Sequence, residues 1–195
     1  MKNFFSRFIL IIVVLSIVAC GGLRFSQLDP AAKDYHHRRV AVFPADVGTH
    51  EEARHAIEQV VPGVLTEKMW YSDVVDTASL NRQIQVNDEL RKAMTDYLSK
   101  LQALNYSDSA LSRKIGELTR TDAFLLVSVD YWNYYVEKED KIGKVSIGMK
   151  LIDAQTGKTM WKAGHDEKET YTFFKPELSK IARSVVKTMV KELPH

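Results

Sequence analysis

The feature that most limits what this chain can fold into is a change of hydrophobic period near residue 123. Before it, apolar side chains recur at helical spacing: Leu90, Ala93, Met94, Tyr97, Leu98, Leu101 and Leu104 form one stripe, with Asn87 or Asp88 as cap. From Ala123 onward the period is two. Ala123 to Val129 reads as a strand buried on both faces and turns aromatic at Tyr131-Trp132-Asn133-Tyr134-Tyr135. Val145, Ile147, Met149 and Leu151 then alternate with Lys144, Ser146, Gly148 and Lys150, as in an antiparallel strand with one wet face. The segment Asp153 to Lys158 is a tight turn whose Gly157 can take positive φ, and Thr159 to Ala163 starts the return strand. Three successive antiparallel strands form a meander at the centre of a sheet.

The remaining elements fit around it. Arg39-Val40-Ala41-Val42-Phe43-Pro44 reads as a short buried strand. Thr49 and Glu52 have the spacing of a capping box ahead of a helical stripe from Ala53 to Leu65, and Pro62-Gly63 predicts a kink or two abutting helices. Asp73 to Asp76 makes a second short strand, and Ser109, Leu111, Ile115 and Leu118 mark a further helix. The last helix starts near Pro176 and carries Leu178, Ile181, Ala182, Val185, Val186, Met189 and Val190 on one side. Lys180, Arg183, Lys187 and Lys191 line its other side, where the macrodipole favours them; a helix lying on a membrane surface is the alternative. The expected fold is an α/β (α+β) sandwich: a mixed sheet with an antiparallel C-terminal meander, helices packed on it and an amphipathic C-terminal helix.

The N-terminus supplies an address. Lys2 and Arg7 precede an apolar run from Phe8 to Ala19, too short for a comfortable membrane span, so residues 1–19 read as a signal peptide. Directly after Ile17-Val18-Ala19 stands Cys20, the single cysteine of the 195-residue chain, which excludes an internal disulfide and a CxxC zinc site. Residues 20–37 read as a flexible tether, since Gly21 to His37 shows no periodicity and contains the turn former Asp29-Pro30. Extended, it would reach roughly 50 Å. His36-His37-Arg38-Arg39 reads as its solvated end, and residues 38–195 as a single periplasmic domain. The formal charge of +2 comes from Lys2 and Arg7, so the chain from Cys20 onward is balanced, which excludes a dedicated nucleic-acid binder.

Two resemblances add to this reading. The basic leader, the apolar run and Ile17-Val18-Ala19-Cys20 resemble the lipobox of bacterial lipoproteins. That implies a diacylglycerol on the Cys20 thiol, a third acyl chain such as palmitate on its amine, and anchoring through those chains. With Gly21 after the cysteine, the same logic implies an outer-membrane anchor with the domain facing the periplasm. Gly116 to Asp122-Ala123 and Asp153-Ala154-Gln155-Thr156-Gly157 before Trp161 resemble envelope lipoproteins with a curli-secretion-like or TolB-amino-terminal-like domain. That resemblance implies an α/β domain that binds envelope proteins or its own copies. The additional long, lipid-facing strands of a pore former are missing from the pattern.

A search for chemistry returns little. No GxSxG elbow, HExxH helix, Walker loop or GxGxxG occurs. The sequence therefore predicts no enzyme, catalytic residue, cofactor or metal site. The expected function is a lipid-anchored, non-enzymatic interaction module of a Gram-negative envelope assembly, transport or cell-wall complex. Its candidate interface is Tyr131, Trp132, Tyr134 and Tyr135, with Tyr171, Phe173 and Phe174 in the same aromatic set. Two alternatives stay open: a periplasmic hydrolase using His165 with Asp130, Asp166 or Glu167, and a lipid or small-ligand carrier with an apolar cavity.

Overall fold

The computed structural model describes residues 23–34 and 36–195. The signal peptide and Cys20 lie outside the described residues. Six strands form one sheet: β1 (Phe25–Leu28), β2 (Arg39–Val42), β3 (Asp73–Val75), β4 (Ala123–Glu137), β5 (Asp140–Asp153) and β6 (Thr159–Tyr171), in the order β1-β6-β5-β4-β2-β3. β2 is parallel to β3 and β4, and the meander and β1 are antiparallel. Five helices pack on the sheet: α1 (Arg54–Lys68), α2 (Thr77–Val86), α3 (Asp88–Leu104), α4 (Ser109–Thr119) and α5 (Leu178–Val190). The expected mixed sheet, meander and C-terminal helix are all present.

The two-residue period sorts the meander's side chains between two cores. Leu125, Val127, Val145, Ile147 and Leu151 join Ile57, Val61, Val64 and Leu65 of α1 and Val185, Val186 and Met189 of α5 on one face. Phe124 and Ile152 point the other way, to Leu80 of α2, Leu90, Met94 and Tyr97 of α3 and Ile115 of α4. The molecule thus has three layers, but the second helix layer covers only one end of its face. The covered end lies by β2, β3 and the turn after β5. Toward the β4–β5 hairpin tip the same face is bare.

Several local expectations are corrected. The segment read as a flexible tether contains β1, which pairs Phe25 with Gly164 and Leu28 with Trp161, followed by a 3-10 turn over Pro30–Asp34. Trp161 Nε1 donates to Ser26 Oγ at 3.2 Å, and Asp29 N donates to Met160 O at 2.8 Å. His37, read as solvated, is 2% exposed, and burial pushes its pKa down to about 4. Thr49 and Glu52 form no capping box. A 3-10 turn over Glu51–Ala53 leads into α1 with no side-chain cap, and Arg54 holds Glu51 with two bonds of 2.9 Å. Pro62 lies inside one continuous α1. Asp76 caps α2, an element the sequence did not predict, by accepting from Ser79 N at 2.6 Å. The apolar side of α5 is buried against α1 and the sheet, so α5 is a core helix and not a membrane-surface one. Its Arg183 and Lys187 reach Glu67 of α1.

Candidate functional site

The bare end of the sheet is an open surface formed by the strands beneath it. Its shape follows from a β-bulge. β4 and β5 pair in regular register from Ala123 with Asp153 to Val129 with Ile147, then Tyr131 pairs with Ser146, leaving Asp130 as an extra residue. A bulge resets the alternation of every later side chain. Trp132, opposite Val145, is therefore turned to the α5 side and is 6% exposed. Tyr134 follows it inward: its hydroxyl donates to Pro176 O at 2.6 Å, and its ring meets Tyr171 edge-on at 5.9 Å. Partial burial pushes the Tyr134 phenol up.

The four-residue aromatic interface expected from the sequence is thus split. Trp132 is a core residue and Tyr134 fastens the loop before α5. Tyr131 and Tyr135 remain half-exposed on the bare face, edge-on to each other at 6.2 Å. Lys144 Nζ sits 5.6 Å from the centre of the Tyr131 ring, and Lys168 Nζ lies 5.9 Å from that of Tyr135. Such rings, amphipathic and already beside cations, are the kind that anchor interfaces.

Beside them runs a trough that sequence reading missed. Between β1 and the C-terminal half of α3 the sheet face, here Leu126, Ser128 and Gly148, is left uncovered. The result is an open groove of about 460 Å³, walled by Phe25, Leu98, Leu101 and Leu126 and edged by Lys150 and Lys162. A smaller hollow of about 290 Å³ shares Leu101, Asn105, Lys150 and Lys162 with it. Phe25 lies over Gly164 so closely that a Cβ there would stand 2.4 Å from its ring. Arg24 spans the groove's rim, donating to Asp130 Oδ2 at 2.8 Å and to Ser146 Oγ at 3.2 Å. Only the charges of the alternating wet face hinted at this groove. The enclosing strand β1 has no burial pattern to reveal it.

Of the carboxylates in the hydrolase reading, only Glu167 meets His165. His165 pairs in register with Ile147 and shares the α5 side, where its Nε2 is 3.5 Å from Glu167 Oε1. Asp130 is on the opposite face with Arg24, and Asp166 is 3.2 Å from Lys144 Nζ. The Thr188 hydroxyl donates to Glu167 Oε1 at 3.4 Å. A carrier's enclosed apolar cavity is not what the bare face offers either, since its groove is open and edged by charge. Among the described residues, no cluster of His, Cys, Asp and Glu could hold a metal ion, and no helix is long and apolar enough to cross a membrane.

Solved structures share this architecture. A PelC dodecamer from Paraburkholderia phytofirmans matches with a TM-score of 0.53 at 16% identity, over 88% of this chain and 99% of that one. The chain has the fold of that protein. Lipoprotein GNA1162 from Neisseria meningitidis matches with a TM-score of 0.53 at 17% identity, over 79% of this chain and 98% of that one. The hypothetical protein CT253 from Chlamydia trachomatis matches with a TM-score of 0.50 at 7% identity, over 80% and 95%. No family model and no curated protein matches the sequence.

Proposed function

We propose that the chain is a lipid-anchored, non-enzymatic interaction module of the Gram-negative envelope. Residues 1–19 direct export, Cys20 carries the acyl chains, and the folded domain faces the periplasm from the outer membrane. The observation that supports this best is the likeness in fold, over nearly their whole length, to a lipoprotein and to a protein crystallised as a dodecamer. The lipobox-like Ile17-Val18-Ala19-Cys20 supports the anchor. The bare face with Tyr131, Tyr135 and the trough is the surface through which the domain meets its own copies or envelope proteins.

Two measurements test this. Metabolic labelling with an alkyne fatty acid should mark the wild-type chain and leave Cys20→Ser unlabelled; an unlabelled wild type contradicts the anchor. Light scattering of the acylated chain in detergent should give a mass above that of one protomer, reduced to one protomer by Tyr131→Glu with Tyr135→Glu. A monomeric wild type that also captures no envelope protein contradicts the interaction module.

A further inference from the structure

The register of β1 determines which end of the domain the anchor reaches. β1 is antiparallel to β6, with Leu28 opposite Trp161 and Phe25 opposite Gly164. Stepping back from Phe25 toward Cys20 therefore means moving along β6 toward Tyr171. The five residues from Phe25 to Cys20 span at most about 17 Å. A lipid on Cys20 would bring the membrane to the end of the sheet where β6 finishes.

At that end stand two adjacent aromatic rings with no protein packing on them. Phe173 is 90% exposed and Phe174 is 91% exposed. They are not on a loose loop. Tyr134 donates to the carbonyl of Pro176, Lys175 Nζ sits 4.8 Å from the centre of the Tyr134 ring, and Pro176 packs over Gly143, where a Cβ would come within 3.0 Å of it. The β4–β5 tip lies at the same end, since Lys141 pairs with Tyr171, and adds Val136, which is also exposed.

We propose that Phe173 and Phe174 insert into the headgroup–acyl boundary of the membrane that holds the Cys20 lipid, seating the domain on the bilayer by a second, protein-borne contact. The inference rests on acylation of Cys20. A protein partner fits these rings less well. Two phenylalanines bury some 300–500 Å² between them, well short of the roughly 1,200 Å² a specific protein interface needs, whereas a bilayer accepts any protruding ring. Charge is not the attraction, because Lys138, Lys141 and Lys175 are offset by Glu137, Glu139 and Asp140 at the same end. Binding should therefore depend little on salt or on anionic lipid.

The acylated full-length mature chain, reconstituted in zwitterionic phosphatidylcholine vesicles, is the test. Thr172→Cys provides one free thiol for an environment-sensitive fluorophore, because lipid occupies Cys20. Quenching by doxyl lipids is expected in this chain and should be lost with Phe173→Ala and Phe174→Ala, while thermal stability stays unchanged. A probe that is unquenched, or quenched equally with and without the two rings, overturns the proposal, whether a second copy or water covers them. Intact mass of the same sample reports acylation separately. If the acyl mass is missing the anchor reading fails, and vesicle co-sedimentation of the unacylated chain still decides on the rings. Each ring should then contribute roughly tenfold in partitioning, with no change between low and high salt. Equal partitioning of the wild type and the double variant overturns the insertion.

Discussion

The clad and bare ends of one sheet face share strands β4 and β5, and side-chain bulk separates them. Near the turn after β5 the face presents Phe124 and Ile152, and helices α2, α3 and α4 pack on them. Further along it presents Ser128 and Gly148, where Phe25 of β1 and the C-terminal half of α3 stand only at the sides of an open groove. A helix docks where a sheet offers apolar bulk to bury. Where glycine and serine replace that bulk, the face stays open as a trough beside two tyrosines.

The comparison breaks most visibly through the two aromatics that the bulge sends to opposite sides. Trp132→Ala should destabilise the domain by about 3–5 kcal/mol in urea unfolding, whereas Tyr135→Ala should cost about 1 kcal/mol or less. Equal losses would mean that the bare face is core. At the clad end, buried His37 makes stability depend on acid. Its imidazole stays neutral in the fold down to about pH 4, while the unfolded chain takes the proton near pH 6.5. Stability should be constant with respect to this group above pH 6.5 and fall by about 3 kcal/mol as the pH drops from 6.5 to 4. Subtracting the unfolding profile of His37→Gln isolates that slope, and identical profiles would refute it.

Smaller changes probe the bare end. Gly164→Ala pushes the exposed Phe25 ring aside and should cost about 1 kcal/mol or less. Amide exchange should then quicken in β1 and at Asp29 while β4 stays protected; uniform loss of protection would show that β1 is not a separable edge. Lys150 and Lys162 are directly opposite in register, and like charges so placed repel. Lys150→Glu should stabilise the domain by about 0.2–1 kcal/mol in low salt, with the gain fading as salt is added.

Much of this sheet was legible because its strands are long and their burial alternates. The Lys144 to Leu151 pattern predicts strand, wet face and meander together. The bulge was not legible: one unpaired residue at Asp130 leaves no mark on composition, yet it decides that Trp132 is core and Tyr131 is not. β1 was missed because all four of its residues are exposed. It is held by backbone pairing to β6, which leaves no hydrophobic period. α2 was missed because only Thr77 and Leu80 are buried on it, too few for a stripe. Phe173 and Phe174 stood out by type, but only the register of β1 shows that the strand begins on the side of β6 that leads to them.

That register changes the physical picture of the proposed anchor. A tether of residues 20–37 would let the domain roam, whereas with β1 starting at Phe25 an acylated Cys20 would be at most about 17 Å away. Neutron reflectometry of the acylated chain on a supported bilayer measures the difference directly. Protein density that begins at the headgroups, with no water layer between, is the expected result. A hydrated gap approaching the roughly 50 Å of an extended tether would contradict a domain seated on its membrane.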